Sequence, residues 1–144
     1  MKKIMRLGIA LLLMSVVLLG CQQQDNKLEL KREIKEVNIF KSNKFKKENS
    51  VLFISFSNTN DTEILEIVKN IINDAIKQEG IVDITEPDYD LEIIYEDDST
   101  KELYLWLLEG GIGSLMEVED THTVYNFSEE LNNELIDLIE LDEN

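Results

Sequence analysis

The sequence predicts a single small α+β domain, a two-layer sandwich with a mostly antiparallel sheet and two helices on one of its faces. Three observations predict it. Segments of alternating or β-branched and aromatic residues follow one another with short polar turns between them, which favours neighbouring antiparallel strands. Two segments instead repeat their apolar residues at three-to-four spacing. The chain beyond its leader is long enough for one core and too short for two.

The leader comes first. Met1, Lys2, Lys3 and Arg6 form a basic start, and Leu7 to Leu19 is apolar except for Gly8 and Ser15. A run of this length falls in the roughly 7–15 residues of a signal peptide and below the roughly 18 that a spanning helix needs. It ends Leu18-Leu19-Gly20-Cys21, which resembles the lipobox of bacterial lipoproteins. That resemblance implies a diacylglycerol on the Cys21 thiol and cleavage just before it. Two acyl chains give stable anchoring where one gives only marginal binding. Cys21 is also the single cysteine, so it has no intrachain disulfide partner. The expectation is a signal peptide over 1–20, lipidated Cys21 and a flexible polar tether over 21–31, and the domain over 32–144. The chain would then sit on the extracytoplasmic face of the cell membrane.

The elements of the domain follow in order. Ile34, Val37 and Ile39 mark a first strand over 33–40, and Lys41 to Asn49 a charged turn. Ser50 to Ser57 reads as a second strand. Asn60 with Glu63 resembles a capping box. Ile64, Leu65, Ile67, Val68, Ile71, Ile72, Ala75 and Ile76 then form the apolar face of a helix that Gly80 would terminate. After Glu86-Pro87, residues 88–108 read as a hairpin with its turn at Asp97-Asp98-Ser99. Ser114 to Val118 and His122 to Phe127 give two further strands. Ser128 opens a last helix with Leu131, Leu135, Leu138 and Ile139 on one face. The order is β-β-α-β-β-β-β-α.

Charge bounds the partners. The formal net charge is −16 and falls to −19 once Lys2, Lys3 and Arg6 leave with the leader. Residues 22–50 hold eight basic side chains against five acids, and residues 51–144 hold three against twenty-five. A basic stem beside the anchor suits a solvated tether or an anionic surface. The acidic body repels phosphate, so nucleic acid is not expected as a ligand.

No assembled catalytic constellation emerges. The acids at Asp83, Glu86, Asp88 and Asp90, at Asp97-Asp98, and at Glu117, Glu119 and Asp120 are candidates for calcium, yet no EF-hand loop is present and a solvated acidic surface explains them. His122 is the only histidine and cannot build a multi-histidine zinc site. With Asp120 it forms the one candidate pair for an envelope hydrolase. The plainer reading is a strand histidine hydrogen-bonded beside Asp120. Gly110-Gly111-Ile112-Gly113 follows a strand without a P-loop lysine and reads as a turn. No cofactor or metal is expected.

The aromatic stripe points to binding. If Leu103, Leu105 and Leu107 face the helices, Tyr104 and Trp106 lie on the open sheet face. By the same alternation Leu52, Ile54 and Phe56 face the helices, while Val51 and Phe53 lie with Tyr104 and Trp106, and Ile94 joins them. Such a face suits a protein or small ligand unless the tether or a loop covers it. The expectation is a non-enzymatic binding or interaction domain, with Trp106, Tyr104 and Phe53 as candidate contacts. The alternatives are the hydrolase just described and an accessory subunit docking on a membrane complex through its acidic surface.

The stretch Gly80 to Ile139 carries a resemblance. Gly80-Ile81-Val82-Asp83, Pro87-Asp88-Tyr89-Asp90, Leu105-Trp106-Leu107, Gly113-Ser114-Leu115-Met116, Glu119-Asp120-Thr121-His122-Thr123-Val124-Tyr125 and the Ser128-Glu129-Glu130 start resemble the YhfM-like small lipoproteins of Gram-positive bacteria. The resemblance implies an extracytoplasmic lipoprotein. It brings no substrate, cofactor or catalytic residue.

Overall fold

The computed structural model describes residues 26–46 and 49–142. The leader, Cys21 and the first residues of the expected tether lie outside them. The fold is the expected α+β sandwich, in the order β1 (Ile34–Lys41), β2 (Val51–Ser57), α1 (Thr62–Asp74), β3 (Ile76–Lys77), β4 (Tyr89–Tyr95), β5 (Thr100–Trp106), β6 (Gly113–Glu117), β7 (Val124–Phe127) and α2 (Glu129–Asp142). One sheet runs β2-β1-β4-β5-β6-β7-β3, with every pairing antiparallel.

The core lies between this sheet and both helices. Val37, Ile39, Leu91, Ile93, Leu103, Leu105 and Leu115 come from the sheet, and Leu65, Val68, Ile71, Ile72, Leu135 and Ile139 from the helices. Each fully buried aliphatic side chain of this kind stabilises the fold by about 1.5–3 kcal/mol before entropy is counted.

Two bulges set the strand faces. Ile34 pairs with Tyr95 and Glu36 with Ile94, so Lys35 is an extra residue in β1. The phase shift lets Ile34, Val37 and Ile39 all face the core despite their uneven spacing. The second slip lies between Ile39, opposite Ile54, and Phe40, opposite Leu52, which makes Phe53 the extra residue of β2.

Three boundaries differ from the sequence reading. First, α1 stops at Asp74, well before Gly80. Ala75 turns extended at ψ 119° and Ile76–Lys77 leaves the helix to pair with Tyr125 and Asn126. Gly80, at φ +93°, serves the following loop instead. Second, the helix start is not capped by Asn60: the Asp61 carboxylate turns back to accept the Ser57 N–H at 3.0 Å. Third, the folded unit begins inside the segment read as tether. Lys27 bridges to Ile76, the Lys77 N–H donates to the Asn26 carbonyl at 2.8 Å, and Leu28, 4% exposed, is part of the core. Sheet pairing and one buried leucine fix a segment that reads as polar and without a core pattern.

The helix ends support one another. The Asp74 carboxylate accepts the Ser128 N–H at 2.7 Å, tying the end of α1 to the start of α2. Asn132 of α2 is fully buried and grips the chain after β5, donating to the Leu108 carbonyl at 2.8 Å and accepting its N–H at 3.4 Å.

Candidate functional site

The face of the sheet away from the helices has an aromatic half. Along β5 the alternation places Tyr104 and Trp106 there, beside Met116 of β6 and Val124 of β7. Bare, this patch would expose two aromatic rings to water. Two loops cover it in part.

The first cover is the connection between β1 and β2. Lys44 and Phe45 are both left-handed, at φ 56° and 60°. Phe45 meets the ring of Tyr104 edge-on at 5.1 Å and lies 6.2 Å from Trp106. The Tyr104 hydroxyl donates to the Phe45 carbonyl at 3.3 Å. Burial, and after it the carboxylates of Asp90 and Glu102, push that hydroxyl above the usual tyrosine value. Asp90, 4% exposed on β4, holds the loop at both ends, accepting from the Ser42 hydroxyl at 2.7 Å and from the Ser50 hydroxyl.

The second cover is the segment from Gln78 to Asp88. Val82 and Ile84 pack on Met116, Val124 and Trp106. The Trp106 indole N–H donates to the carbonyls of Thr85 and Glu86, each at 3.1 Å. Asp88 closes the segment onto the sheet by accepting the Leu107 N–H at 2.9 Å. Between this segment and the β5–β6 connection a groove of about 410 Å³ remains, walled by Trp106, Val82, Ile84, Leu108 and Ile112. That volume lies in the range of ligand pockets, roughly 300–1,000 Å³. Leu108 and Ile112 are exposed at its edge, and Ile81, just before Val82, is wholly exposed.

The candidate contacts therefore separate. Trp106 and Tyr104 stand together, with Trp106 half-buried at the groove and Tyr104 buried beneath Phe45. Phe53 is not with them. Its bulge reverses the alternation of β2 and turns its ring to the helix side, 6.2 Å from Tyr89 and with the Lys41 ammonium 4.4 Å above it. The same slip leaves Leu52 exposed, where alternation placed it toward the helices. A loop does cover the open face, so Tyr104 meets solvent only if Phe45 moves.

Asp120 and His122 occupy a turn, not a strand, since β7 begins at Val124. The bond between them runs from the main-chain N–H of His122 to Asp120 at 3.1 Å. The Thr123 side chain, then that N–H, hold the Asp120 carboxyl below its ordinary value. Asp120 closes the turn, and His122 is exposed.

The acid clusters are dispersed among local tasks. Asp88 and Asp90 hold loops, and Glu86 lies 3.7 Å from Lys44. Asp97 pairs with Arg32, Asp98 with Lys35 at 2.5 Å, and Glu117 with Lys101. The hydrogen bond from Lys35 to Asp98 raises that ammonium above its usual value. The basic stem is thus partly neutralised by the β4–β5 turn. Among the described residues no three His, Cys, Asp or Glu side chains converge as metal ligands, and no helix is long and apolar enough to cross a membrane.

Sequence reasoning missed Asn132 and Phe45, though each left a signal. Asn132 is a polar residue in phase with Leu135 and Ile139, and Phe45 is an aromatic inside the lysine-rich Lys44-Phe45-Lys46.

A family model described as YhfM protein matches residues 30–144, which includes the less distinctive N-terminal strands as well as the stretch Gly80 to Ile139. No curated protein and no solved structure matches the chain.

Proposed function

The chain belongs to the YhfM protein family, and from that premise we propose that it is a lipid-anchored extracytoplasmic domain that binds a partner and performs no chemistry of its own. The groove beside Trp106 carries the binding half of this reading. Most of its walls are apolar, two of them the exposed side chains of Leu108 and Ile112, and its indole N–H is already satisfied, so what these walls offer a ligand is contact area. The anchoring half is supported by the basic, apolar leader ending at Gly20-Cys21. Asp120 and His122 add no support for the hydrolase alternative, since Asp120 is engaged in its turn by Thr123 and the His122 main chain.

The test is made in cells. A photo-cross-linking residue at Leu108 or Ile112 captures a discrete partner, and the same residue at Glu63 on α1 does not. Equal capture at all three positions would dismiss the groove. For the anchor, Cys21→Ser abolishes metabolic labelling by fatty acid, and persistent labelling of that variant would reject lipidation at Cys21.

A further inference from the structure

The groove does not end at Trp106. A second depression of about 280 Å³ lies against it, and the two share Asp88 and Leu107 as a common wall. The second one continues past Tyr89 to Ile136 and Ile139 of α2. Side by side across Asp88 and Leu107, they make a two-part trough, one part on the covered sheet face and the other against the helix layer.

Its charge is one-sided. Asp83 and Asp88 border the first part, Asp88, Glu109 and Glu140 the second, and no Lys, Arg or His borders either. Two other depressions among the described residues differ, for each contains cations: Arg32 and Lys69 in one, Lys31 and Lys101 in the other. Six acids elsewhere, Glu33, Glu66, Glu86, Asp97, Asp98 and Glu117, pair with a lysine or with Arg32. Asp83 in the first part and Glu109 in the second have no ion-pair or hydrogen-bond partner among the described residues.

The geometry points to a linear cationic and apolar peptide segment of a partner protein as the occupant, its large apolar side chains in the Trp106 and Ile136 sections and its Lys or Arg side chains toward Asp83 and Glu109. This rests on the interaction reading of the groove and adds the chemistry of what enters it. Anionic lipid and nucleic acid are disfavoured by the same carboxylates. A wholly apolar ligand would gain nothing from those exposed carboxylates, and a wholly polar cation would leave the Trp106 wall unused.

Trp106 is the only tryptophan, so its emission reports the trough directly. The full-length chain in phosphatidylcholine vesicles is titrated with short peptides of alternating Lys-Leu, Glu-Leu and Lys-Ser. Lys-Leu shifts the Trp106 emission saturably and Glu-Leu does not. Lys-Ser binds about tenfold or more weakly, the loss expected when a large aliphatic contact is removed. Asp83→Asn and Glu109→Gln each weaken Lys-Leu binding about two- to fivefold, as exposed ion pairs do, whereas Glu63→Gln leaves it unchanged. Equal binding of Lys-Ser and Lys-Leu, or of the Glu63 variant and the Asp83 variant, reduces the effect to bulk charge and overturns the proposal. If no peptide binds while cross-links at Leu108 persist in cells, this ligand class is wrong and the interaction reading stands. If both fail, both are wrong.

Discussion

Gly113→Ala measures how tightly the wall of the groove is built into the core. Gly113 opens β6 directly opposite Phe127 of β7. A methyl group there would meet Cζ, Cε1 and Cε2 of the Phe127 ring closer than 3.0 Å, and Phe127 is buried in the main core and cannot swing into solvent. Overpacking of this kind costs about 1–3 kcal/mol. Replacing glycine also restricts the unfolded chain, which returns about 0.4–1 kcal/mol. The net loss is about 1–2 kcal/mol, or about 4–8 °C in Tm for a domain of this size. The measurement is urea unfolding followed by Trp106 emission and circular dichroism. Phe127→Leu removes the ring atoms that the methyl meets and by itself costs about 1–2 kcal/mol. The double variant should therefore be more stable than the sum of the two losses predicts, by about 1 kcal/mol or more. A Gly113→Ala variant as stable as the parent, or strictly additive losses, would refute the close approach. The residues flanking Gly113, Ile112 and Ser114, line the groove, so the same strain should also weaken binding there.

Three further outcomes are expected. Asp90→Ala frees the Ser42 and Ser50 hydroxyls and releases the Phe45 loop; it costs about 1–3 kcal/mol and moves Trp106 emission to longer wavelength, and unchanged emission would mean that the loop is held by other contacts. Asn132→Leu keeps the branched outline of the side chain but leaves the Leu108 N–H and carbonyl unpaired; a loss of about 1–3 kcal/mol and faster hydrogen exchange at the Leu108 amide are the readouts. Asp120 titrates below 3.8 in the folded chain. Because its folded value is depressed, its contribution to stability is present above about 3.8 and fades as pH falls through the folded value. Thr123→Val removes the largest cause and should bring the carboxyl resonance of Asp120 back toward the ordinary titration point in an NMR pH series.

The sheet was legible where alternation was unbroken. Tyr89, Leu91, Ile93 and Tyr95 point one way, alternating with Asp90, Glu92 and Glu96 and broken only by Ile94, and Asp97-Asp98-Ser99 supplies the turn, so the β4–β5 hairpin falls where the pattern puts it. The face of β2 was not legible. Val-Leu-Phe-Ile is apolar throughout, and a bulge inside such a run leaves no mark in composition, so Phe53 changes sides unannounced. Ile76 misled for a different reason. It stands four residues after Ile72 and continues the helical spacing, and pairing with β7 draws it off the helix. Leu28 and Leu30 did carry a signal, alternating with Lys27, Glu29 and Lys31, but one turn of alternation beside an unpatterned polar stretch is weak evidence. The aromatic half of the candidate site was readable as Tyr104 and Trp106, because it needs only the parity of β5. The covers were not, since neither loop has periodicity.

The location of the groove follows from an imbalance within one sheet face. On β1 and β4 that face is mixed: Glu36, Asn38, Asp90 and Glu92 share it with Phe40 and Ile94, and Asn38 donates to Glu92 at 3.1 Å. On β5, β6 and β7 it carries Tyr104, Trp106, Met116 and Val124, which a third layer must shield. Among the described residues no helix is left for that task, because both described helices lie on the other face. Two loops do it instead, and a loop must spend much of its own polar backbone on anchoring contacts. The Thr85 and Glu86 carbonyls satisfy the Trp106 N–H, Asp88 holds the Leu107 N–H, and Asp90 holds Ser42 and Ser50. Phe45, Val82 and Ile84 supply the apolar cover that remains, and it falls short between Ile84 and Ile112. The groove is the uncovered remainder of a face too apolar to leave bare, and that is why the proposed partner is placed there.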